Sequence, residues 1–209
     1  MSAQPRKSGL SVKTIYIISA ISAVFSVIMT VSIIKGWNED SALSKHKILM
    51  AQTKKFIATA KYQKAADILE KVIADISDVN KQYEPLYLNE LGSVYYKMRQ
   101  YQKGEQLLLR ALAIDEKVLD KDHPKIAAIC NNLGAIYLAV NRLDEAEQFI
   151  LRALAIDEKA LGKDHRDVAR DCNNLGQLYK KTKRFKEAEP LLLRAVAIMK
   201  NLMARIILN

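Results

Sequence analysis

Two different hydrophobic patterns divide the chain. Residues 14–34 form an unbroken run of 21 residues without a charged side chain. After Lys35, apolar residues instead recur at helical spacing, as at Cys130, Leu133 and Tyr137, which fall at i, i+3 and i+7 on one face of a helix. Strand-like alternation of apolar and polar residues is absent. The pattern therefore predicts an all-α protein.

The uncharged run is long enough to cross a lipid bilayer. As a helix at about 1.5 Å per residue it is roughly 31 Å long, close to the hydrocarbon thickness of about 30 Å. Tyr16 and Trp37 lie near its two ends, where amphipathic rings favour the headgroup region. We therefore predict a short basic tail at 1–13, a transmembrane helix at 14–34 and a single-pass membrane protein. The N-terminal amine slightly favours an N-terminus inside and the rest of the chain outside the cytoplasm.

A cleaved secretory signal is the alternative interpretation of this run. Signal sequences have an apolar region of about 7–15 residues followed by small residues at the cleavage site, whereas residues 31–34 here are Val-Ser-Ile-Ile. Under this alternative the protein is a soluble exported chaperone or binding protein. Ser22, Ser26 and Thr30 are spaced four apart, which leaves open a homo-oligomer that forms through the span.

The rest of the chain repeats with a period of 42 residues. Residues 107–148 and 149–190 are identical at 24 of 42 positions. Leu91, Gly92 and Tyr95 extend the repeat upstream, and a more degenerate unit precedes them. Such periods are typical of solenoids built from helix pairs. The predicted organisation is a linker at 35–41, a solenoid at 42–203 with repeats at approximately 42–80, 84–122, 123–164 and 165–203, and a C-terminal tail at 204–209.

Two local patterns predict helix starts. Asp144 and Glu147 have the spacing of a capping box, which predicts the start of the second helix of a pair. His123 followed by Pro124 predicts the start of a first helix. Proline has no amide hydrogen, and at the first helical position that hydrogen would have no partner within the helix, so nothing is lost.

The repeat residues resemble a known family. Leu133, Gly134 and Tyr137, with Ala146 nine residues later, are similar to the tetratricopeptide repeat consensus. The segments Asn-Asn-Leu, Glu-Ala-Glu, Arg-Ala-Leu-Ala-Ile and Gly-Lys-Asp-His resemble the repeats of kinesin light chains over 85–198. The resemblance implies an α-solenoid whose groove binds short acidic or C-terminal carboxylate segments. It does not include the predicted span, so it implies no motor role.

The first helix of each pair lines the concave surface of such a solenoid. Asparagines recur there, and each side chain offers a donor and an acceptor for a ligand backbone, while basic residues would favour an acidic ligand. The alternative is that the asparagines bridge or cap neighbouring helices and that the lysines are only solvated. The predicted peptide-binding residues are Asn89, Ser93, Lys97, Asn131, Arg170, Asn173, Gln177, Lys180 and Lys181.

No catalytic, metal or cofactor site is predicted. His123 and His165 occupy equivalent positions in successive units, as do Cys130 and Cys172, so duplication of structural residues accounts for both pairs. The net charge of the whole chain is +10, whereas residues 35–209, with 30 basic and 23 acidic residues, have a net charge of +7. This charge is interspersed and lacks an aromatic stacking platform, so nucleic acid is not an expected partner.

The apolar C-terminus leaves two interpretations open. Leu202, Met203, Ile206 and Ile207 lie where solenoids usually end in a polar capping helix. We expect them to fold over the open end of the stack, and docking of another chain is the alternative. The whole sequence predicts a non-enzymatic, membrane-anchored scaffold or adaptor with a protein or peptide partner. An oligomerising structural component is a further alternative.

Overall fold

The computed structural model describes residues 44–45, 47–76 and 78–208. The chain divides into two compact units, Met1–Ile48 and Leu49–Asn209. Eight α-helices, and no strands, occur in the described part of the second unit. They are α1 (49–58 within this unit, helical from 47), α2 (Tyr62–Ala74), α3 (Glu84–Lys97), α4 (Tyr101–Val118), α5 (Pro124–Ala139), α6 (Leu143–Leu161), α7 (Arg166–Lys181) and α8 (Phe185–Leu208), with a 3-10 helix at Asp78–Tyr83 before α3.

The helices stack as pairs. From α2 to α8 each helix packs on the next. The first helices of successive pairs also contact each other, α3 with α5 and α5 with α7. Apolar side chains of both helices in each pair form a nearly continuous core, in which Leu88, Leu133 and Ile150 have no exposed surface. The predicted all-α solenoid is confirmed.

The predicted localisation as a single-pass membrane protein is corrected by the structure. Among residues 44–45, 47–76 and 78–208, no helix has both the length and the apolar character needed to cross a bilayer. Even the longest of them, α8, carries lysine, arginine and glutamate along its length. The predicted tail at 1–13, span at 14–34 and linker at 35–41 lie outside the described residues.

The first helices of the last two pairs begin at histidines. At α5, Nδ1 of His123 accepts a hydrogen bond from the amide of Lys125 at 3.1 Å, and Pro124 is the first helical residue. At α7, Nδ1 of His165 accepts one from the amide of Asp167 at 3.2 Å. Each bond satisfies one of the amides that have no partner within the helix. The predicted helix start at Pro124 is confirmed.

Tight turns join the two helices of each pair. Arg99, Asn141 and Lys183 are 42 residues apart and have positive φ angles of 59°, 65° and 61°. One residue in this left-handed conformation ends a helix and reverses the chain. The next amide then returns to the last helical turn, as from Arg142 to the carbonyl of Tyr137 at 2.8 Å. The shared conformation gives successive pairs the same turn.

The helices of a pair approach each other most closely at a glycine. A Cβ atom at Gly134 would lie 2.4 Å from Cγ1 of Ile150, well inside van der Waals contact. Gly92 and Gly176 occupy the equivalent positions in the neighbouring pairs and have similarly close neighbours. The absence of a side chain therefore sets how α5 packs on α6.

A glutamate on the second helix holds the following pair. Glu147 accepts hydrogen bonds from Oη of Tyr179 at 2.8 Å and from Arg184 at 2.8 Å. The guanidinium of Arg184 also lies 3.8 Å from the centroid of the Tyr179 ring. Arg142 and Glu105 form the equivalent ion pair one unit earlier, at 2.6 Å. The predicted capping box is wrong, because α6 begins without a side-chain cap and Glu147 serves this inter-repeat contact.

Candidate functional site

Side-chain amides link the first helices of successive pairs. Oδ1 of Asn89 accepts a hydrogen bond from Nδ2 of Asn132 at 2.9 Å, and Oδ1 of Asn131 accepts one from Nδ2 of Asn174 at 2.8 Å. Nδ2 of Asn131 donates to Asp171, and the Asn131 residue is only 1% exposed. Bridging between neighbouring helices, the alternative left open by the sequence, therefore describes both Asn89 and Asn131.

Asn173 holds the same position in the last pair but has different surroundings. No further pair follows α7 and α8 within the described residues, so Asn173 is exposed where Asn131 is covered. Its amide forms no hydrogen bond with any described residue. Of Asn89, Asn131 and Asn173, it is therefore Asn173 whose side-chain donor and acceptor are both open to a ligand.

Arg170 is half-exposed and surrounded by carboxylates. Its guanidinium nitrogens lie 2.8 Å from Asp167, 3.7 Å from Asp157 and 3.7 Å from Asp171. Burial raises the pKa of Asp171 to about 8 and also raises the pKa of Asp157, while the positive charge of Arg170 opposes both shifts. Much of the charge of Arg170 therefore compensates these buried acids.

The remaining predicted residues differ in how accessible they are. Nζ of Lys181 donates a hydrogen bond to the carbonyl of Leu138 at 3.0 Å, near the C-terminus of α5 where carbonyls lack helical partners. Ser93 is half-buried on α3. The exposed residues of this group are Lys97, Gln177, Lys180 and Lys181, of which only Lys181 has the bond just described.

A cavity of about 1360 Å³ lies between α1, α3, α7 and α8. Two of the nine predicted residues, Arg170 and Asn173, line it together, with Lys54 of α1 and Glu90 of α3 also in its walls. Burial raises the pKa of Glu90, an effect that the positive charge of Lys54 opposes. The cavity thus joins the open end of the helix stack to its first helices.

The C-terminal half of α8 forms the apolar wall of this cavity. Val196, Met199, Met203 and Ile207 line it and are 65%, 39%, 59% and 79% exposed. Their spacing of three, four and four residues places them on one stripe of the helix, which we call the α8 stripe.

Of the C-terminal residues expected to fold over the open end, Leu202 packs against the core cluster of Val168 and Ile198. Met203, Ile206 and Ile207 do not fold over it: α8 continues without a break to Leu208 and leaves them exposed.

Several wall residues were missed from the sequence. Arg166 precedes Arg170 by one helical turn, so the helical period could have assigned the two to the same face of α7. Lys200 borders the α8 stripe and could have been found once α8 was continued past the last repeat. Lys54 could not have been found, because no sequence pattern relates α1 to the far end of the stack.

Potential metal ligands and thiols in the described part of the chain are either dispersed or buried. The described residues contain no cluster of three histidine, cysteine, aspartate or glutamate side chains that could hold a metal ion. Cys130 and Cys172 are free and buried. Burial raises the pKa of the Cys130 thiol to about 11 and also raises the pKa of Cys172. Thiols with raised pKa values stay protonated and are poor nucleophiles.

A family model for the tetratricopeptide repeat matches residues 83–159 and 126–201. The solved structure of BtubC (BKLC) from P. vanneervenii has a TM-score of 0.61 at 22% identity, covering 73% of this chain and 61% of that chain. The chain therefore spans less than two thirds of the length of BtubC. No curated protein matches in sequence.

Two further solved structures have the same fold. A variant of a putative kinesin light chain with nearly identical TPR-like repeats, from Podosopora anserina, has a TM-score of 0.55 at 24% identity and covers 73% of each chain. MamA from Desulfovibrio magneticus RS-1 has a TM-score of 0.54 at 16% identity, covering 73% of this chain and 75% of that chain. At these identities the likeness shows the fold alone.

Proposed function

The chain belongs to the tetratricopeptide repeat family, and we propose that it is a protein-binding scaffold whose ligand occupies the cavity between α1, α3, α7 and α8. The predicted tetratricopeptide repeats are confirmed by the family match, and a solved structure of a putative kinesin light chain with such repeats has the same fold. The proposal is closer to the binding-protein alternative than to a membrane-anchored adaptor. It involves neither catalysis nor a cofactor.

The observation that carries the proposal is the composition of the cavity walls. Asn173 offers an open amide, and Arg166 and Lys200 add positive charges that form no ion pair with any described residue. An amide can bond a ligand backbone without regard to its sequence, whereas the positive charges favour acidic side chains. These features support an acidic segment of another protein as the ligand.

The proposed ligand also contacts residues outside the cavity, on α7 and on α3. Gln177 lies one turn after Asn173 on α7, and Lys180 follows at its end. On α3, Ser93 and Lys97 lie one and two turns after Asn89. We assign all of these side chains to secondary contacts with the ligand, because they lie outside the cavity. Lys97, Gln177 and Lys180 are exposed and can reach a ligand freely, whereas Asn89 and Ser93 are half-buried and offer less surface.

Site-specific crosslinking in cells tests this proposal. A photoreactive amino acid replaces Asn173, and the matched control places it at Lys117, which is exposed on α4 outside the cavity. We expect a crosslinked protein partner from position 173 and none from position 117. Replacing both Arg166 and Lys200 by alanine should lower the crosslinking yield. Equal yields from both positions, or none from position 173, would contradict the proposal.

A further inference from the structure

The open end of the solenoid has the form of a face that receives a helix. Within the stack, α7 covers the face of α5 and α6: Asn131 is only 1% exposed there, and Leu154 packs against the cluster that contains Val168 and Cys172. No further helix pair packs on the equivalent face of α7 and α8 among the described residues; Ala169 on it stays buried, whereas Asn173 is exposed. As a result Val196, the counterpart of Leu154, is 65% exposed.

The α8 stripe is more apolar than the inner faces of the stack. The position of Met199 is taken in the two preceding units by Asp115 and Asp157, which are both buried. From Val196 to Ile207 the stripe extends roughly 17 Å at about 1.5 Å per residue, or three turns of helix. A continuous exposed apolar surface of this kind marks an interaction site. Its helical spacing matches an apolar helix face laid alongside it.

Positive charge borders the stripe. Arg166 and Lys200 line the same cavity, and neither pairs with an acidic side chain among the described residues. The two acidic residues in the cavity walls do not offset them, because Asp167 is paired with Arg170 and Glu90 is half-buried with its pKa raised by burial. A complementary ligand therefore carries acidic residues beside its apolar face.

The chain itself has no suitable helix at its other open end. The first helix of the stack, α1, contains Lys54 and Lys55 and no acidic residue. Residues 1–34 likewise contain no aspartate or glutamate. A second copy that docked through α1 would place its lysines against Arg166 and Lys200, and so would the N-terminal segment with its own basic residues. Like charges would then meet, which opposes association.

We propose that the open end of the solenoid binds an amphipathic helix of another protein, with an apolar face bordered by acidic residues. The inference rests on the proposed function and specifies its partner. The apolar face of this helix packs on Val196, Met199 and Met203, and its acidic side chains pair with Arg166 and Lys200. The amide of Asn173 bonds a polar side chain, as Asn131 does with Asp171 and Asn174 inside the stack.

The test uses a synthetic peptide of about 15 residues, enough to span the stripe at about 1.5 Å per residue. It is cross-linked into a helix, with leucines on one face and glutamates on both borders. A second peptide has lysines in place of the glutamates. Fluorescence anisotropy with the full chain should show binding of the acidic peptide and at least tenfold weaker binding of the basic one.

Variants of the chain locate the binding surface. Met199→Asp with Met203→Asp should weaken binding of the acidic peptide at least tenfold, since both side chains are exposed and their replacement leaves the core intact. Leu151→Asp is the matched control, because Leu151 has a similar exposure, 42%, and lies outside the cavity. Arg166→Glu with Lys200→Glu should transfer the preference to the basic peptide. Thermal melts confirm that each variant is folded.

Three results would overturn the inference. The first is failure of the acidic peptide to bind, and the second is binding that the double aspartate variant leaves unchanged. The third is a concentration-dependent dimer in light scattering that the same variant abolishes, which would identify a second copy as the occupant. If any of these occurs while crosslinking at Asn173 still captures a partner, the proposed function stands and only the helical partner is wrong.

Discussion

At the start of α5, the imidazole of His123 takes the place of the serine, threonine or aspartate that commonly caps a helix. Its Nδ1 accepts the amide of Lys125, so replacing it by alanine leaves that amide without a side-chain partner. We expect His123→Ala to lower the free energy of unfolding by about 1 kcal/mol. Urea denaturation measures the change.

His123→Asp is the matched control, since a carboxylate can accept the same amide and also favours a helix N-terminus. This variant should be as stable as the parent protein. If alanine and aspartate destabilise the protein equally, the cap does not have the role assigned to it.

Close packing at Gly134 leads to a second prediction at the residue scale. A Cβ there would overlap Cγ1 of Ile150, which is fully buried and cannot swing away. Gly134→Ala should therefore destabilise the protein by about 1–3 kcal/mol in urea denaturation, although alanine favours helices. Ala139→Ser, at the exposed end of the same helix, should change stability by less than about 0.5 kcal/mol. A stabilised Gly134→Ala variant would contradict the observed packing.

At the scale of elements, a buried acidic pair joins α6 to α7. Burial raises the pKa of Asp171 from an ordinary value of 3.8 to about 8, so the folded protein holds a proton that the unfolded chain releases over this range. Stability is therefore expected to fall as pH rises from about 4 to about 8, because the folded state then binds more protons. The proton belongs to the pair of Asp157 and Asp171 rather than to one carboxyl.

Asp171→Asn tests this linkage. The amide cannot ionise, so the variant should show a flatter dependence of unfolding free energy on pH and should exceed the parent protein in stability at pH above about 8. Asp144→Asn, at an exposed residue on α6, should leave the dependence unchanged. Parallel curves for the Asp171 variant and the parent protein would show that the pair does not titrate in this way.

The sequence predicted the helices well where the 42-residue repeat determines their spacing. The 42-residue period and the helical spacing of Leu133 and Tyr137 depend on local sequence, and both reappear in the helices. The capping box failed because Glu147 has the correct spacing but a stronger set of partners, Tyr179 and Arg184, in the next pair. Contacts between units cannot be read from the spacing within one unit.

The candidate site was only partly predictable for the same reason. The position shared by Asn89, Asn131 and Asn173 was correctly assigned to the first helices. Sequence equivalence, however, gives all three the same environment, whereas stacking covers Asn131 and leaves Asn173 exposed. The ends of a solenoid differ from its middle, and that difference concentrates the accessible polar and apolar groups at α7 and α8.

At the scale of the whole molecule, the solenoid within Leu49–Asn209 carries its candidate binding surface at one end of the stack. The outer surfaces of α4 and α6 instead carry ion pairs between neighbouring second helices, such as Arg152 with Glu116 at 2.7 Å. Such pairs satisfy part of the charge of that surface within the protein. The account therefore predicts that a protein partner binds at the open end and not on the outer surface.

Hydrogen exchange is the most direct measurement of this central claim. The chain is compared alone and in complex with the partner captured by crosslinking at Asn173, and protection is mapped by mass spectrometry. We expect slower exchange in the N-terminal half of α7 and in the C-terminal half of α8, with α4 and α6 unchanged. Protection confined to α4 and α6, with none in α7 or α8, would contradict the account.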